Sequence, residues 1–162
     1  QLGNDLQWHF IGRIQKNKAK YIAPTATRIH CLENREQAEA LAKRAPRTLR
    51  CLIGVNIGKE EQKSGVLPND ILERVNQLSA VDSIHLTGLM CLPPQVDNPE
   101  DTAPFFAEMQ HLLVRVQQAG HASMTELSMG MSSDYRVALR YGATWIRVGS
   151  SIFGPRPTNK AG

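Results

Sequence analysis

Residues 127–154 read LSMGMSSDYRVALRYGATWIRVGSSIFG, and this stretch decides which fold the sequence predicts. It holds two short apolar segments that run directly into glycine and hydroxyl residues, at positions 130–133 and 149–151. A short helix is predicted between the two turns, over residues 134–141. Small residues after a strand let backbone N–H groups approach an anion closely, and a following helix N-terminus adds a favourable dipole. The two turns together therefore predict one phosphate site that is held from two sides.

The rest of the chain alternates between apolar strands and amphipathic helices. Strands are predicted over residues 8–12, 28–32, 49–57, 84–92, 126–129 and 143–148. Helices are predicted over residues 13–23 (ending before Pro24), 34–46 (with Asn34 as the cap), 68–78, 102–118 (with Gly120 as the stop) and 134–141. Such strict alternation predicts a parallel sheet covered by helices, which is either doubly wound or a barrel.

The position of the two phosphate turns favours the barrel. A doubly wound dinucleotide-binding sheet needs a glycine-rich turn after the first strand, where only Gly12 stands. Here the turns follow the last two strands, and (β/α)₈ barrels frequently build their phosphate site after strands seven and eight. The predicted fold class is therefore α/β, a (β/α)₈ TIM barrel that is incomplete, with strands three to eight present. We expect residues 1–162 to form a single domain without the first two β/α units, and its open sheet edges predict poor stability.

The composition argues against several classes of protein. Apolar residues make up 41% of the chain and charged residues 21%, as in ordinary soluble globular proteins, and no apolar run approaches the length of a membrane span. The net charge of +4 suits an anionic ligand but is too small to predict nucleic-acid binding. Three scattered cysteines and five dispersed histidines show neither a disulfide framework nor metal-ligand spacing. We therefore expect buried thiols in a reducing cytoplasm, with no metal and no membrane partner.

Five linked motifs extend along the whole chain. They are WHFIG at residues 8–12, NI at 56–57 with Glu60, Lys63 and Gly65, GLM at 88–90, LSMGMS at 127–132 with Asp134, and RVG at 147–149 with IFG at 152–154. In their order and spacing the chain resembles the YggS/PROSC (proline synthase co-transcribed) family of pyridoxal 5′-phosphate-binding proteins. The resemblance implies the barrel of the alanine racemase N-terminal domain, a role in vitamin B6 homeostasis and no established catalytic activity. It also implies a monomer whose partner is the cofactor, pyridoxal 5′-phosphate.

The resemblance implies six cofactor-binding residues: Ile11, Met131, Ser132, Arg147, Gly149 and Ser150. The phosphate contacts fall on Ser132, with Met131 beside it, and on the turn that begins at Gly149, while Ile11 looks like the residue beside the ring. Ser132 and Ser133 are also ordinary residues for the N-cap of the next helix.

Arg147 corresponds to the arginine that faces the pyridine nitrogen in the family. An arginine is effectively always protonated, so it would keep that nitrogen unprotonated and weaken the ring as an electron sink. The alternative for a charge within this apolar strand is a buried ion pair. His9, on the first predicted strand, is interpreted as a core or mouth histidine rather than a catalytic base.

One departure from the family concerns catalysis. The family's Schiff-base lysine lies on its first strand in an A-V-S-K-type motif, and this sequence contains no such motif. Lys18 and Lys63 are conceivable substitutes, but neither falls within a predicted strand. We therefore expect a non-catalytic carrier of the cofactor and no catalytic residues. The alternative is a pyridoxal-phosphate-dependent amino-acid racemase, which needs a lysine and an opposing acid or base, usually tyrosine; the tyrosines here are Tyr21, Tyr135 and Tyr141.

Overall fold

Six parallel strands follow one another in chain order across one sheet. The computed structural model describes residues 6–154. Its strands are β1 (His9–Phe10), β2 (Arg28–Leu32), β3 (Leu49–Val55), β4 (Ile84–Cys91), β5 (Glu126–Met131) and β6 (Trp145–Arg147). Within the described residues, each strand pairs only with the strands that precede and follow it in the sequence.

Helices occupy the connections between the strands. They are α1 (Ala19–Thr25), α2 (Arg35–Ala42), α3 (Ile71–Ser79), α4 (Ala103–Gln118), α5 (Tyr135–Arg140) and α6 (Ser150–Phe153). Short 3-10 turns lead into α1, α3 and α4 at Lys16–Lys18, Pro68–Asp70 and Pro99–Thr102. The predicted alternation of strands and helices around a parallel sheet is thus confirmed. The longest helix, α4, is too short and too polar to cross a bilayer, and the other helices of the described chain are shorter still.

The sheet is strongly curled. β1 and β6 are its two outermost strands, yet the ring centroids of His9 and Trp145, one from each, lie only 4.9 Å apart. A flat six-stranded sheet would hold these strands more than 20 Å apart, at about 4.8 Å per neighbour. The inner face of the described sheet is therefore concave, as in part of a barrel wall.

The core lies between the sheet and its helices. Leu52 and Leu89, on the central strands β3 and β4, are fully buried, and so are Phe106, Met109 and Leu112 on the inner face of α4. Central parallel strands are covered on both faces, which explains their almost continuous apolar sequence. The edges are less well covered, since Trp8 beside β1 and Ile146 on β6 are 54% and 40% exposed.

The helix boundaries agree with the predictions in some places and not in others. The Asn34 side chain accepts a hydrogen bond from the Gln37 N–H at 2.9 Å, so the predicted cap of α2 is confirmed. Gly120, with a φ of +102°, directly follows the C-cap of α4, and this predicted stop is also confirmed. The first helix was predicted to end before Pro24, and this is wrong because α1 includes it. Pro24 is tolerated there because α1 ends one residue later, so only one intrahelical hydrogen bond is lost.

Candidate functional site

A cavity of about 740 Å³ opens at the carboxyl ends of the strands and is the candidate site. It collects residues that lie within or directly after β1, β2, β4, β5 and β6. All six residues that the resemblance assigns to the cofactor line it: Ile11, Met131, Ser132, Arg147, Gly149 and Ser150. The structure therefore brings the six predicted residues into one space, hereafter the site cavity.

The two glycine–hydroxyl turns are joined by one oxygen atom. The Ser132 Oγ accepts hydrogen bonds from the Gly149 N–H at 3.1 Å and from the Ser151 N–H at 3.3 Å. The N-cap of α5 is Asp134, so the interpretation of Ser132 or Ser133 as that cap is wrong. Two backbone donors that converge on one oxygen form a small anion cup, hereafter the phosphate cup.

The turn after β5 has its shape because of a close helix and an acidic side chain. A Cβ on Gly130, whose φ is +90°, would lie 2.7 Å from the Ala138 Cβ and 2.9 Å from the Tyr135 Cα. Only glycine therefore lets β5 pass this close to α5. Next to it, the Asp134 Oδ1 accepts a hydrogen bond from the Met131 N–H at 2.6 Å, which fixes the turn and places Ser132 at the cavity.

Arg147 is the charged group at the floor of the site cavity. Its Nη1 donates to the Ser128 Oγ at 2.6 Å and its Nη2 donates to the Cys91 carbonyl at 2.8 Å. Within residues 6–154 no carboxylate pairs with Arg147, so the ion-pair alternative is wrong for the described chain. Burial lowers the pKa of Arg147 from its ordinary value. The guanidinium nevertheless stays charged, because an arginine pKa begins far above neutral pH.

Two histidines extend the polar network across the concave face. His30 is only 2% exposed, and its Nδ1 lies 2.8 Å from the Ser128 Oγ. Its Nε2 lies 3.0 Å from the Nδ1 of His9, whose ring lines the site cavity. Burial, assisted by His9, Arg147 and Arg28, lowers the pKa of His30 to about 3. His30 is therefore neutral at physiological pH.

A buried ion pair joins the first residues of β2 and β5, at the amino ends of these strands. The Arg28 guanidinium pairs with Glu126, whose Oε2 also accepts a hydrogen bond from the Thr87 hydroxyl at 2.6 Å. The same guanidinium lies over the ring of Trp145, 4.7 Å from its centroid. The indole in turn meets His9 edge-on. This packing separates the site cavity from the amino end of the sheet.

Sequence reasoning missed His30, Ser128 and Trp145 as residues of the site. A signal was present, because polar side chains, with one tryptophan, occupy alternate positions of strands that are otherwise apolar: Arg28 and His30, Glu126 and Ser128, Trp145 and Arg147. Alternate residues of a strand share one face. The polar positions of three strands therefore marked one common inner surface before any contact was known.

The lysines of the described chain do not line the site cavity. Lys63 instead lines a neighbouring cavity of about 180 Å³ that shares Ile11 with it. Its Nζ donates to the Pro93 carbonyl at 3.2 Å and pairs with Glu60. Lys63 thus lies beside the site cavity and is already engaged by two partners.

The three cysteine thiols lie outside the site cavity. Cys31, Cys51 and Cys91 are free and buried, and burial raises the pKa of each thiol to about 12. They are therefore uncharged and unreactive at neutral pH. Across residues 6–154, histidine, cysteine and carboxylate side chains do not gather in threes as metal ligands do.

The neutral state of His30 predicts a pH dependence of stability. Its pKa is about 3 when folded and 6.5 when unfolded, so below pH 6.5 the unfolded chain takes up a proton that the folded chain does not. The contribution of the neutral His30 to the free energy of unfolding is fully present above pH 6.5. It falls as the pH decreases, by up to about 1.4 kcal/mol per pH unit. Urea unfolding at a series of pH values should show this slope, and His30→Gln should reduce it. An equal slope in the variant would contradict the assignment to His30.

Two comparisons with known proteins decide the family. A family profile described as "Alanine racemase, N-terminal domain" matches residues 5–157. The pyridoxal phosphate homeostasis protein of Aquifex aeolicus is 40% identical over 155 residues, which are 94% of this chain and 68% of that protein. The chain belongs to the pyridoxal phosphate homeostasis family. The predicted resemblance is thereby confirmed.

Solved structures agree with membership of the pyridoxal phosphate homeostasis family. PipY of Synechococcus elongatus PCC7942, solved with PLP bound, superposes with a TM-score of 0.83 at 34% identity, covering 93% of this chain and 71% of that one. Alanine racemase of Clostridium difficile 630 superposes with a TM-score of 0.73 at 14% identity, covering 96% of this chain and 42% of that one. The second likeness shows the fold alone. The predicted fold class, the alanine racemase N-terminal barrel in incomplete form, is confirmed.

Proposed function

We propose that this chain binds pyridoxal 5′-phosphate in the site cavity and acts in the homeostasis of that cofactor as a non-catalytic carrier. The proposal rests on the N–H groups of Gly149 and Ser151, which converge on the Ser132 Oγ. These groups lie at the site cavity, which Arg147 also lines. A phosphate needs such donors, and the remaining volume suits a substituted pyridine ring. The names of the relatives support the same ligand.

The residues present fit the parts of the cofactor. In this proposal the phosphate takes the hydrogen bonds that now end on Ser132, while Ile11 and Met131 provide apolar walls for the ring. When bound, pyridoxal phosphate supplies an aldehyde and an electron-withdrawing ring. Arg147 can only donate hydrogen bonds, so at the ring nitrogen it would hold that atom unprotonated. This weakens the withdrawal of electrons and favours holding the cofactor over carbanion chemistry.

The same contacts support a carrier over the alternative of a racemase. Racemisation needs a lysine and a second acid or base at the cofactor. Within residues 6–154 neither a lysine nor a tyrosine lines the site cavity. The fold also occurs in enzymes, as the likeness to alanine racemase illustrates, so activity must be measured directly. The three buried thiols further support a reducing compartment such as the cytoplasm.

We further propose that the six strands correspond to strands three to eight of the barrel, in one domain. The phosphate cup lies after β5 and β6, which matches the loops after strands seven and eight of such barrels. The chain spans 68% of the length of its Aquifex aeolicus relative. A monomer that binds neither nucleic acid nor membranes remains our prediction for the full-length protein.

Cofactor titration tests the proposed function. Trp145 lines the site cavity, so binding of pyridoxal phosphate should quench its fluorescence, and Trp8→Phe removes the other tryptophan. We expect pyridoxal, which lacks the phosphate, to bind at least about 100-fold more weakly, because two charge-assisted hydrogen bonds are lost. The protein with bound cofactor is then assayed for racemisation of alanine. Absence of saturable quenching would contradict the binding site, and turnover would favour the racemase.

A further inference from the structure

Four side chains from four strands form one continuous hydrogen-bonded series, hereafter the relay: His9, His30, Ser128 and Arg147. The three links are 3.0 Å from the His9 Nδ1 to the His30 Nε2, 2.8 Å from the His30 Nδ1 to the Ser128 Oγ, and 2.6 Å from that oxygen to the Arg147 Nη1. His9 and Arg147, the two ends of the relay, both line the site cavity.

The arginine end determines the direction of every hydrogen bond in the relay. A guanidinium has only donors, so the Ser128 Oγ must accept from Arg147. Ser128 is fully buried, and within the described chain the remaining partner near its hydroxyl is the His30 Nδ1. A buried hydroxyl proton without an acceptor is costly. Ser128 therefore donates to the His30 Nδ1, which must be an unprotonated acceptor.

The hydrogen bond donated by Ser128 then determines which nitrogen carries the proton in both imidazoles. A neutral His30 with a bare Nδ1 carries its proton on Nε2 and donates it to the His9 Nδ1. His9, accepting at Nδ1, carries its own proton on Nε2. The ring of His9 is held edge-on against Trp145 and borders the site cavity. Its Nε2–H has no acceptor among the described residues, and the opposite nitrogen is occupied by His30.

We propose that His9 is a ligand-binding residue whose Nε2–H donates to an oxygen acceptor of the molecule in the site cavity, and that Ser128 and His30 are positioning residues that fix its tautomer. The inference rests on the proposed function, which places pyridoxal phosphate in that cavity. It adds a contact outside the six residues that the family resemblance supplied. It also gives Arg147 a second role, since its charge sets the direction of the relay.

The charges around the relay agree with neutral imidazoles. Arg28 and Arg147 face His30 from β2 and β6, and both lower its pKa in addition to burial. For His9, burial and Arg28 lower the pKa, while Glu126 on β5 opposes them more weakly. Protonation of His9 would set two donors against each other at the His9–His30 contact. Protonation of His30 would instead place an N–H against the Ser128 Oγ and leave the hydroxyl proton of Ser128 without an acceptor. Both histidines should therefore remain neutral at physiological pH, each with its proton on Nε2.

The first test uses the ligand-free protein. Nitrogen-15 NMR of the imidazoles reports which ring nitrogen carries the proton, and His9→Gln and His30→Gln assign the signals. We expect both His9 and His30 as the Nε2–H tautomer, and Ser128→Ala should convert His30 to a mixture. Ser133→Ala is a matched control, because it removes a hydroxyl that lines the same cavity outside the relay. A proton on the His30 Nδ1 in the parent protein would overturn the proposal.

The second test measures the contact with the ligand. His9→Phe should weaken binding of pyridoxal phosphate about fivefold, as expected for one lost hydrogen bond. If the relay fixes the tautomer, His9→Phe should cause a smaller loss in the Ser128→Ala background than in the parent. Equal losses in both backgrounds, or unchanged affinity in His9→Phe, would overturn the proposal while cofactor binding by the parent still upholds the proposed function. Failure of the parent to bind would overturn the ligand contact together with the proposed function.

Discussion

Replacement of Ser132 by aspartate is expected to abolish binding of pyridoxal phosphate without unfolding the protein. The Gly149 and Ser151 N–H groups already point at the Ser132 side chain, at 3.1 Å and 3.3 Å. A carboxylate there would accept the same two hydrogen bonds, with the added strength of a charged acceptor. It would thus occupy the phosphate cup and repel a phosphate from it. We expect affinity to fall at least about 100-fold, which is about 2.7 kcal/mol.

Ser132→Ala is the matched control for the negative charge that Ser132→Asp introduces. It removes the hydroxyl but leaves both backbone donors available, so affinity should change less than about tenfold. Thermal unfolding should occur at the same temperature or higher in Ser132→Asp than in the parent, because the new carboxylate is satisfied within the protein. If Ser132→Asp binds pyridoxal phosphate as the parent does, the phosphate must lie elsewhere. A lowered unfolding temperature would instead show that the carboxylate does not fit the cup.

Gly88→Ala is expected to have the largest effect on stability. Gly88 pairs with Glu126 between β4 and β5, and a Cβ on it would lie 1.9 Å from the Glu126 carbonyl oxygen. Two backbones must therefore separate, in the middle of the sheet and at the residue that pairs with Arg28. Overpacking of this kind costs about 3 kcal/mol or more, a large part of the stability of a typical domain.

Gly54→Ala provides the matched control for Gly88→Ala. Gly54 lies on the neighbouring strand β3, but a Cβ there would be 3.5 Å from the Cys31 Cα, an ordinary contact. We expect urea unfolding to show a loss of less than about 1 kcal/mol for Gly54→Ala. Equal losses for the two variants would mean that the close approach of β4 and β5 does not explain Gly88.

The sheet and the phosphate cup could be predicted from the sequence because both have local causes. Apolar runs, helix caps and glycine turns depend on only a few neighbouring residues. Ser132 and Gly149 each lie within a glycine turn, so both could be predicted from the local sequence. The error at Pro24 is also local, since a short helix can contain a proline in its last turn. Local patterns therefore predict the helices and strands, and the strand ends at which the site cavity opens.

The relay could not be predicted because its contacts join side chains from separate strands. Alternation along the strand puts Arg147 on the same face as Trp145, but nothing in the sequence selects Ser128 and the Cys91 carbonyl as its partners. The pairing of His30 with Ser128 depends on the curl of the sheet, which brings the non-adjacent strands β2 and β5 together. Distances across a concave surface are set by the packing of all six strands and have no local signal.

The contact of His9 with Trp145 also bears on when the site cavity forms during folding. All six strands pair with neighbours in sequence, so most of the sheet can assemble through short loop closures. The cavity, in contrast, joins residues from near both ends of the described chain, and such closures are slow and entropically costly. Ligand binding should therefore be the last property gained on folding. A bound molecule would in turn bridge the first and last strands and favour the fully assembled sheet by mass action.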